Sequence, residues 1–169
     1  LQLHDKYVAA AKQWPLRKLG VVHLRWDEIW CSRDSEIQRK DGFICLRVSL
    51  PGKTHVWIPV KKYARFIYDQ MRNHSIENIY FARSPYLPNQ TWSLLHDRLR
   101  SFKTFKFVKH ASEIYKGEDL NFIERQIAVA SRLFIGESGS SWSFSVAKIR
   151  GKKGLTILSN DIFYRKGNS

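Results

Sequence analysis

Two short stretches, far apart in the chain, combine residue types suited to holding a diphosphate. In Val22-His23-Leu24-Arg25, His23 and Arg25 stand two apart at the end of an apolar run. On an extended strand that spacing sends both side chains to one side. A guanidinium placed there can grip a phosphate through two parallel N–H bonds. Asp27 follows in the next loop, so His23, Arg25 and Asp27 form one set of candidate ligand groups. The competing reading is a buried histidine beside a surface ion pair between Arg25 and Asp27.

The second stretch is Phe134-Ile135-Gly136-Glu137-Ser138-Gly139-Ser140-Ser141-Trp142-Ser143, which passes from an apolar run through small residues into a helical pattern. Small residues let a backbone come close to a ligand. The first amide N–H groups of a helix have no intrahelical partner and carry partial positive charge, so a phosphate at Ser140, Ser141 and Trp142 would be well held. The alternative is an ordinary serine N-cap after a turn. The stretch matches neither the dinucleotide-binding G-x-G-x-x-G nor a P-loop, and it lacks the second glycine of a nucleophile elbow. One helix upstream, the Glu124 carboxylate could accept hydrogen bonds from a base edge such as that of guanine, or simply face solvent.

The elements that must position these groups follow from periodicity. Leu3, Tyr7, Ala10, Ala11 and Trp14 recur at helical spacing ahead of Pro15, and Leu19 to Arg25 reads as a buried parallel strand. Residues 26 to 57 read as polar and irregular apart from a short strand at Phe43–Ser49 and a turn at Pro51-Gly52. Regular alternation then predicts helix 60–73, strand 78–82, helix 91–102, strand 105–108, helix 122–131, strand 133–136, helix 141–150 and strand 155–159. Helices between consecutive strands are the crossovers that parallel neighbours require. The expected class is α/β, a Rossmann-like parallel sheet with helices on both faces, in one domain over residues 1–169. In such a sheet ligands bind beyond the carboxyl ends of the strands, where both stretches would lie.

Composition narrows the partners. The chain has 169 residues, 43% of them hydrophobic, enough for one proper core. Its longest apolar runs fall far short of the roughly 20 residues that span a bilayer. The net charge of +14 calls for an anionic partner. The basic residues are spread over Lys61-Lys62, Arg98–Lys106 and Lys148–Lys153 without one long block, and no nucleic-acid motif is recognisable, so nucleic acid is not expected. Cys31 and Cys45 cannot make a tetrahedral zinc site without a nearby pair of histidines. Asn73-His74-Ser75 and Asn89-Gln90-Thr91 are N-glycosylation triplets that point to the secretory pathway, where a Cys31–Cys45 disulfide could form. The chain begins at Leu1 rather than Met and reads as a fragment.

Taken together, Val22 to Arg25, the helix and strand from Pro59 to Ala82, and Ile123 to Phe144 resemble the C-terminal half of the GDP-fucose protein O-fucosyltransferases, most of all the branch that modifies thrombospondin type 1 repeats. The likeness spans roughly residues 19 to 154, with gaps in the 30s to 50s and near 84 to 120. It is strongest from Ile127 to Ser145. It implies a GT-B enzyme whose C-terminal domain binds GDP-fucose without a metal cofactor and transfers fucose with inversion to Ser or Thr of a folded protein acceptor, such as a thrombospondin-type repeat, in the endoplasmic reticulum lumen. Arg25 would be the catalytic residue, holding the β-phosphate and stabilising the departing GDP. His23 would shape the same pocket, Glu124 would face guanine where the family has Asp, and Ser140, Ser141 and Trp142 would hold phosphate. Asp34-Ser35-Glu36 has a faint likeness to the metal-binding Asp-x-Asp of other glycosyltransferases, but the resemblance calls for no metal.

The chain departs from that family at Glu124, at Trp142 in place of Phe, at Glu137 in place of Asn or Thr, and at Arg83-Ser84 in place of Thr-Asp. Glu137 puts a carboxylate beside the expected diphosphate, which is unfavourable unless it turns away or pairs with a cation. The family's N-terminal half, with the candidate catalytic base, is not in this sequence, and the fragment alone is not expected to catalyse transfer. Two rival expectations stand beside a donor-binding domain. One is a non-catalytic basic module for polyanions; the other is a degenerate pseudo-fucosyltransferase.

Overall fold

Leu19–Leu24 (β1) is apolar or glycine at every position except His23, and all six of its residues are buried. Such a strand needs neighbours on both edges and cover on both faces. A computed structural model, which describes residues 2–31, 42–151 and 155–159, supplies both. In chain order the elements are α1 (Gln2–Ala11), β1, β2 (Phe43–Leu50), β3 (Lys53–Pro59), α2 (Val60–Asn73), β4 (Asn78–Arg83), α3 (Asn89–Ser101), β5 (Lys106–Phe107), α4 (Gly117–Ala130), β6 (Leu133–Gly136), α5 (Ser141–Arg150) and β7 (Leu155–Leu158).

Five strands form one sheet in the order β5-β4-β1-β6-β7, and each neighbouring pair is parallel. The chain lays β4 and β5 on one side of β1, then returns to lay β6 and β7 on the other. The strand order therefore reverses between β1 and β6, the kind of place where open parallel sheets leave a crevice. The fold is α/β and Rossmann-like, as the alternation of helices and strands predicts.

Side-chain alternation along the strands divides the core in two. Val22 and Leu24, Ile79 and Phe81, and Leu133 and Ile135 face a cluster completed by α2, α3 and the β2–β3 pair. Val21, Tyr80, Ala82 and Phe134 face the other cluster, completed by α1, α4 and α5. Helix α2 shows why a helix forms here: Val60, Tyr63, Ala64, Ile67, Tyr68 and Met71 recur at three- and four-residue spacing and are all buried. Among the described residues no helix is long and apolar enough to cross a membrane.

Three differences from the sequence expectation have physical reasons. The stretch expected to be irregular contains β3, which pairs antiparallel with β2 around Pro51-Gly52. Gly52 sits at φ 72, a conformation that the tight turn needs and glycine adopts freely. Helix α4 begins at Gly117, five residues before the expected start. Glu118 and Asp119 fall in its first turn, where negative charge is favoured, and Asp119 accepts a hydrogen bond from the Tyr7 hydroxyl of α1. Strand β5 shrinks to Lys106 and Phe107 because it is an edge strand paired only with β4. A disulfide joins Cys31, in the loop after β1, to Cys45 in β2, with Cα atoms 5.8 Å apart.

Arg150, at the end of α5, is only 5% exposed. Its guanidinium donates to the carbonyls of Ala128 and Ser131 at 2.7 Å and of Leu155 at 2.9 Å, and to Thr156 Oγ1 at 3.0 Å. The first two carbonyls lie at the C-terminal end of α4, where helix carbonyls lack partners and favour a cation. Burial pulls the Arg150 pKa down to about 10, which still leaves it charged at neutral pH. Replacing it by Leu strips these carbonyls of their donor, so Arg150→Leu is expected to cost about 1–3 kcal/mol or more. Urea unfolding monitored by circular dichroism measures this, and an unchanged midpoint would remove the role assigned to Arg150.

Candidate functional site

Beyond the carboxyl ends of β1 and β4 lies a cavity of about 340 Å³, roofed by α4 and the start of α5. Its wall includes His23, Arg25, Arg83, Ser84, Asn121, Glu124 and Trp142. Strand register explains part of this set. Leu24 pairs with Arg83 in the parallel ladder, so Arg25 follows one residue beyond that rung at the neighbouring strand end.

His23 is buried, and the partners of its ring fix its state. The Glu137 backbone N–H donates to Ser143 Oγ at 3.0 Å. Ser143 Oγ lies 2.6 Å from His23 Nδ1 and, among the described residues, has no other acceptor for its proton, so the hydroxyl donates to Nδ1. Nε2 then carries the ring's hydrogen and is a donor. Burial, helped by the Arg25 charge, lowers the His23 pKa to about 3, so the ring is neutral at physiological pH. The Trp142 ring packs over it with centroids 4.4 Å apart, and Trp142 Nε1 donates to Asn121 Oδ1 at 2.9 Å.

Glu124, on α4, is also held by neighbours. Its Oε1 accepts the Tyr80 hydroxyl at 2.7 Å and lies 3.1 Å from His110 Nε2. His110 Nδ1 accepts the Ser112 N–H at 3.2 Å, which places a hydrogen on Nε2, where it donates to the Phe81 carbonyl oxygen at 3.0 Å beside Glu124. This leaves Oε2 as the oxygen a ligand would meet. Across the cavity the Arg83 guanidinium lies 4.0 Å from the Trp92 ring centre, a cation–π contact that fixes its height above the sheet.

The turn from β6 into α5 has two faces. Ser140 caps the helix, its Oγ accepting the Ser143 N–H at 3.4 Å, so the N-cap alternative is realised. The cap does not use the N–H groups of Ser141 and Trp142, which stay available to an anion at the cavity edge. Ser140 itself is buried behind the turn and the Ser141 side chain is exposed; neither lines the cavity. The other face of the turn is consumed by the β2–β3 pair. Ser138 Oγ accepts the Ser49 N–H at 3.2 Å, and a Cβ on Gly139 would stand 2.8 Å from the Val48 carbonyl oxygen. The small residues expected to admit a ligand admit β2 instead.

Glu137 does not place its carboxyl group in the cavity. It is fully buried. One oxygen accepts the Arg47 N–H at 2.6 Å, and the other accepts the Arg25 N–H. No family model matches the chain and no curated protein matches it.

The structure thus brings together His23, Arg25, Glu124 and Trp142 of the expected set, with the α5 N-terminus at their edge. It does not bring Asp27. Its Oδ1 accepts the N–H groups of Ile29 and Trp30 at 3.1 and 3.0 Å, while Oδ2 lies 3.4 Å from Arg47 Nη1. Asp27 therefore shapes its own loop and pairs with Arg47 rather than Arg25. Asp34 and Glu36 lie outside the described residues. Sequence reasoning missed Ser143 and Tyr80 as supports and Arg83 as a cavity wall. Arg83 carried a usable signal, a charged residue directly after a buried strand.

Burial pushes the Glu137 carboxyl up to about 8, against the opposing pull of the two N–H bonds and of Arg25 and Arg47. The folded state therefore keeps a proton that the unfolded chain releases near 4.5. This contribution to stability is complete below pH 4.5 and is lost as pH rises towards 8, by at most about 1.4 kcal/mol per pH unit. His23 acts in the opposite sense: its contribution is complete above 6.5 and is lost as pH falls towards 3. Between pH 6.5 and 8 only the Glu137 slope remains of the two. Over that window the parent should lose stability and Glu137→Gln, destabilised overall by one unpaired N–H, should show a flatter curve. Parallel curves from chemical denaturation across pH would refute the assignment.

Proposed function

We propose that this chain is the donor-binding domain of a nucleotide-sugar glycosyltransferase, with GDP-fucose as donor, Ser or Thr of a folded protein as acceptor, and no metal cofactor. The observation that carries the reading is the meeting of Arg25, neutral His23, Glu124 and the α5 N-terminus at one cavity beside the reversal of strand order. Positive and donor groups, Arg25, Arg83, His23 Nε2 and the first N–H groups of α5, gather around the carboxyl end of β1. The acceptor Glu124 stands on α4. A nucleoside diphosphate has the matching polarity, phosphates at one end and base N–H groups at the other.

In this reading Arg25 does the chemical work. Loss of the sugar concentrates negative charge on the β-phosphate, and a fixed guanidinium with preorganised N–H donors stabilises that charge as it develops. His23 supplies a neutral donor that does not compete with Arg25 for the anion. Glu124 selects for a base edge carrying N–H groups. The Cys31–Cys45 bridge supports placement in an oxidising compartment, the endoplasmic reticulum lumen. Glu137 lies outside the cavity, which weakens the case for a degenerate pseudo-enzyme.

Calorimetric titration with GDP tests the proposal. The parent should bind, and Arg25→Ala should bind at least about tenfold more weakly, the loss of one charge-assisted contact worth roughly 1.5–3 kcal/mol. Glu124→Gln should lower the preference for GDP over pyrimidine diphosphates. Absence of GDP binding in the parent, with steeply salt-dependent binding of heparin, would replace this reading by that of a polyanion-binding module.

A further inference from the structure

We propose that Asn73 and Asn89 are acceptors for N-linked glycans. Each opens an Asn-X-Ser/Thr triplet, and the fold leaves both triplets open to modification. Asn73 is the last residue of α2, exposed, and Ser75 two residues on is exposed where the chain leaves the helix at φ 56. Asn89 is the first residue of α3 and is exposed, with no side-chain cap bond at that helix end. Among the described residues neither asparagine side chain holds a hydrogen bond, so a sugar on Nδ2 displaces no contact.

A second observation comes from the cysteines. The Cys31–Cys45 bridge is the chemistry of an oxidising compartment, the same setting in which Asn-X-Ser/Thr triplets receive glycans. The co-reactant is a lipid-diphosphate-linked oligosaccharide. The amide nitrogen Nδ2 bonds to C1 of the first sugar while the bond from C1 to the diphosphate oxygen breaks. That oxygen departs with the electron pair, and the amide loses one proton.

The two positions differ in consequence. Asn73 precedes β4 and so lies at the amino end of the sheet, opposite the cavity. Asn89 lines a smaller cavity of about 200 Å³ that shares Arg83, Ser84 and Pro85 with the larger one, so its glycan stands beside the ligand entrance. Neither residue belongs to the proposed donor site, and the inference stands or falls apart from it.

The test expresses the chain through the secretory pathway of a eukaryotic cell and compares intact mass before and after treatment with peptide N-glycosidase. Two glycans are expected on the parent, one on Asn73→Gln, one on Asn89→Gln and none on the double variant. Ser75→Ala and Thr91→Ala should reproduce the single losses while keeping each asparagine, which separates modification from misfolding. Peptide mapping should read Asp at each released site. Recovery of secreted, disulfide-bonded protein with both asparagines unmodified overturns the proposal, and one unmodified asparagine overturns it for that position.

Discussion

The buried carboxyl group of Glu137 is the contact on which the arrangement around the cavity depends. It stands directly after β6 and takes one backbone N–H from Arg25, beyond the end of β1, and one from Arg47 in β2. A single side chain thus joins the strand ends on either side of the reversal in strand order to the β2–β3 pair. A full ladder rung cannot do this, because β1 and β6 diverge at their carboxyl ends: the recorded pairing between them stops at Val22 and Ile135. Where two parallel strands part, exposed N–H groups appear, and burying them without an acceptor is costly. Glu137 supplies that acceptor.

The same contact decides what the cavity contains. Because the Glu137 oxygens face backbone N–H groups, they leave the Arg25 guanidinium free to line the cavity. The backbone N–H of Glu137 reaches Ser143 Oγ, and Ser143 in turn fixes His23 in the tautomer with Nε2 as donor. One residue therefore sets the path of the strand end through its side chain and the state of a cavity-lining ring through its main chain. Burial gives the group a raised pKa, yet the two N–H donors make it a poor candidate for proton transfer with a ligand it does not touch.

Much of the fold was legible in the sequence because helix and strand periods differ and because parallel strands bury both faces. β6 and α5 lie where the pattern places them, and β1 and α2 match within a residue. The β2–β3 pair was half legible: Thr54, Val56 and Ile58 alternate, but Trp57 and the polar residues around them mask the period. Of the candidate site, Arg25 and His23 could be found because strand ends in such sheets point at ligands. Asp27 could not be resolved from Arg25 by spacing alone. Its true partner, Arg47, lies in a strand pair whose placement no local pattern encodes. The support that Tyr80 and His110 give Glu124 was equally invisible, since it joins β4, the loop after β5 and α4.

Charge arrangement at the cavity is more informative than total charge. The net +14 is distributed over the molecule and by itself favours any anion. At the cavity two arginines sit on adjacent strand ends, one stacked on Trp92, with a single carboxylate on the facing helix. That carboxylate accepts the Tyr80 hydroxyl, and among the described residues neither arginine is paired with it. Pairing it with Arg25 or Arg83 would have cancelled the charges the cavity presents. Holding it with the Tyr80 hydroxyl keeps both cations available and keeps the acceptor aimed. A surface that only attracts polyanions has no need of this separation. The proposed ligand, with phosphates at one end and hydrogen-bond donors at the other, would use that separation.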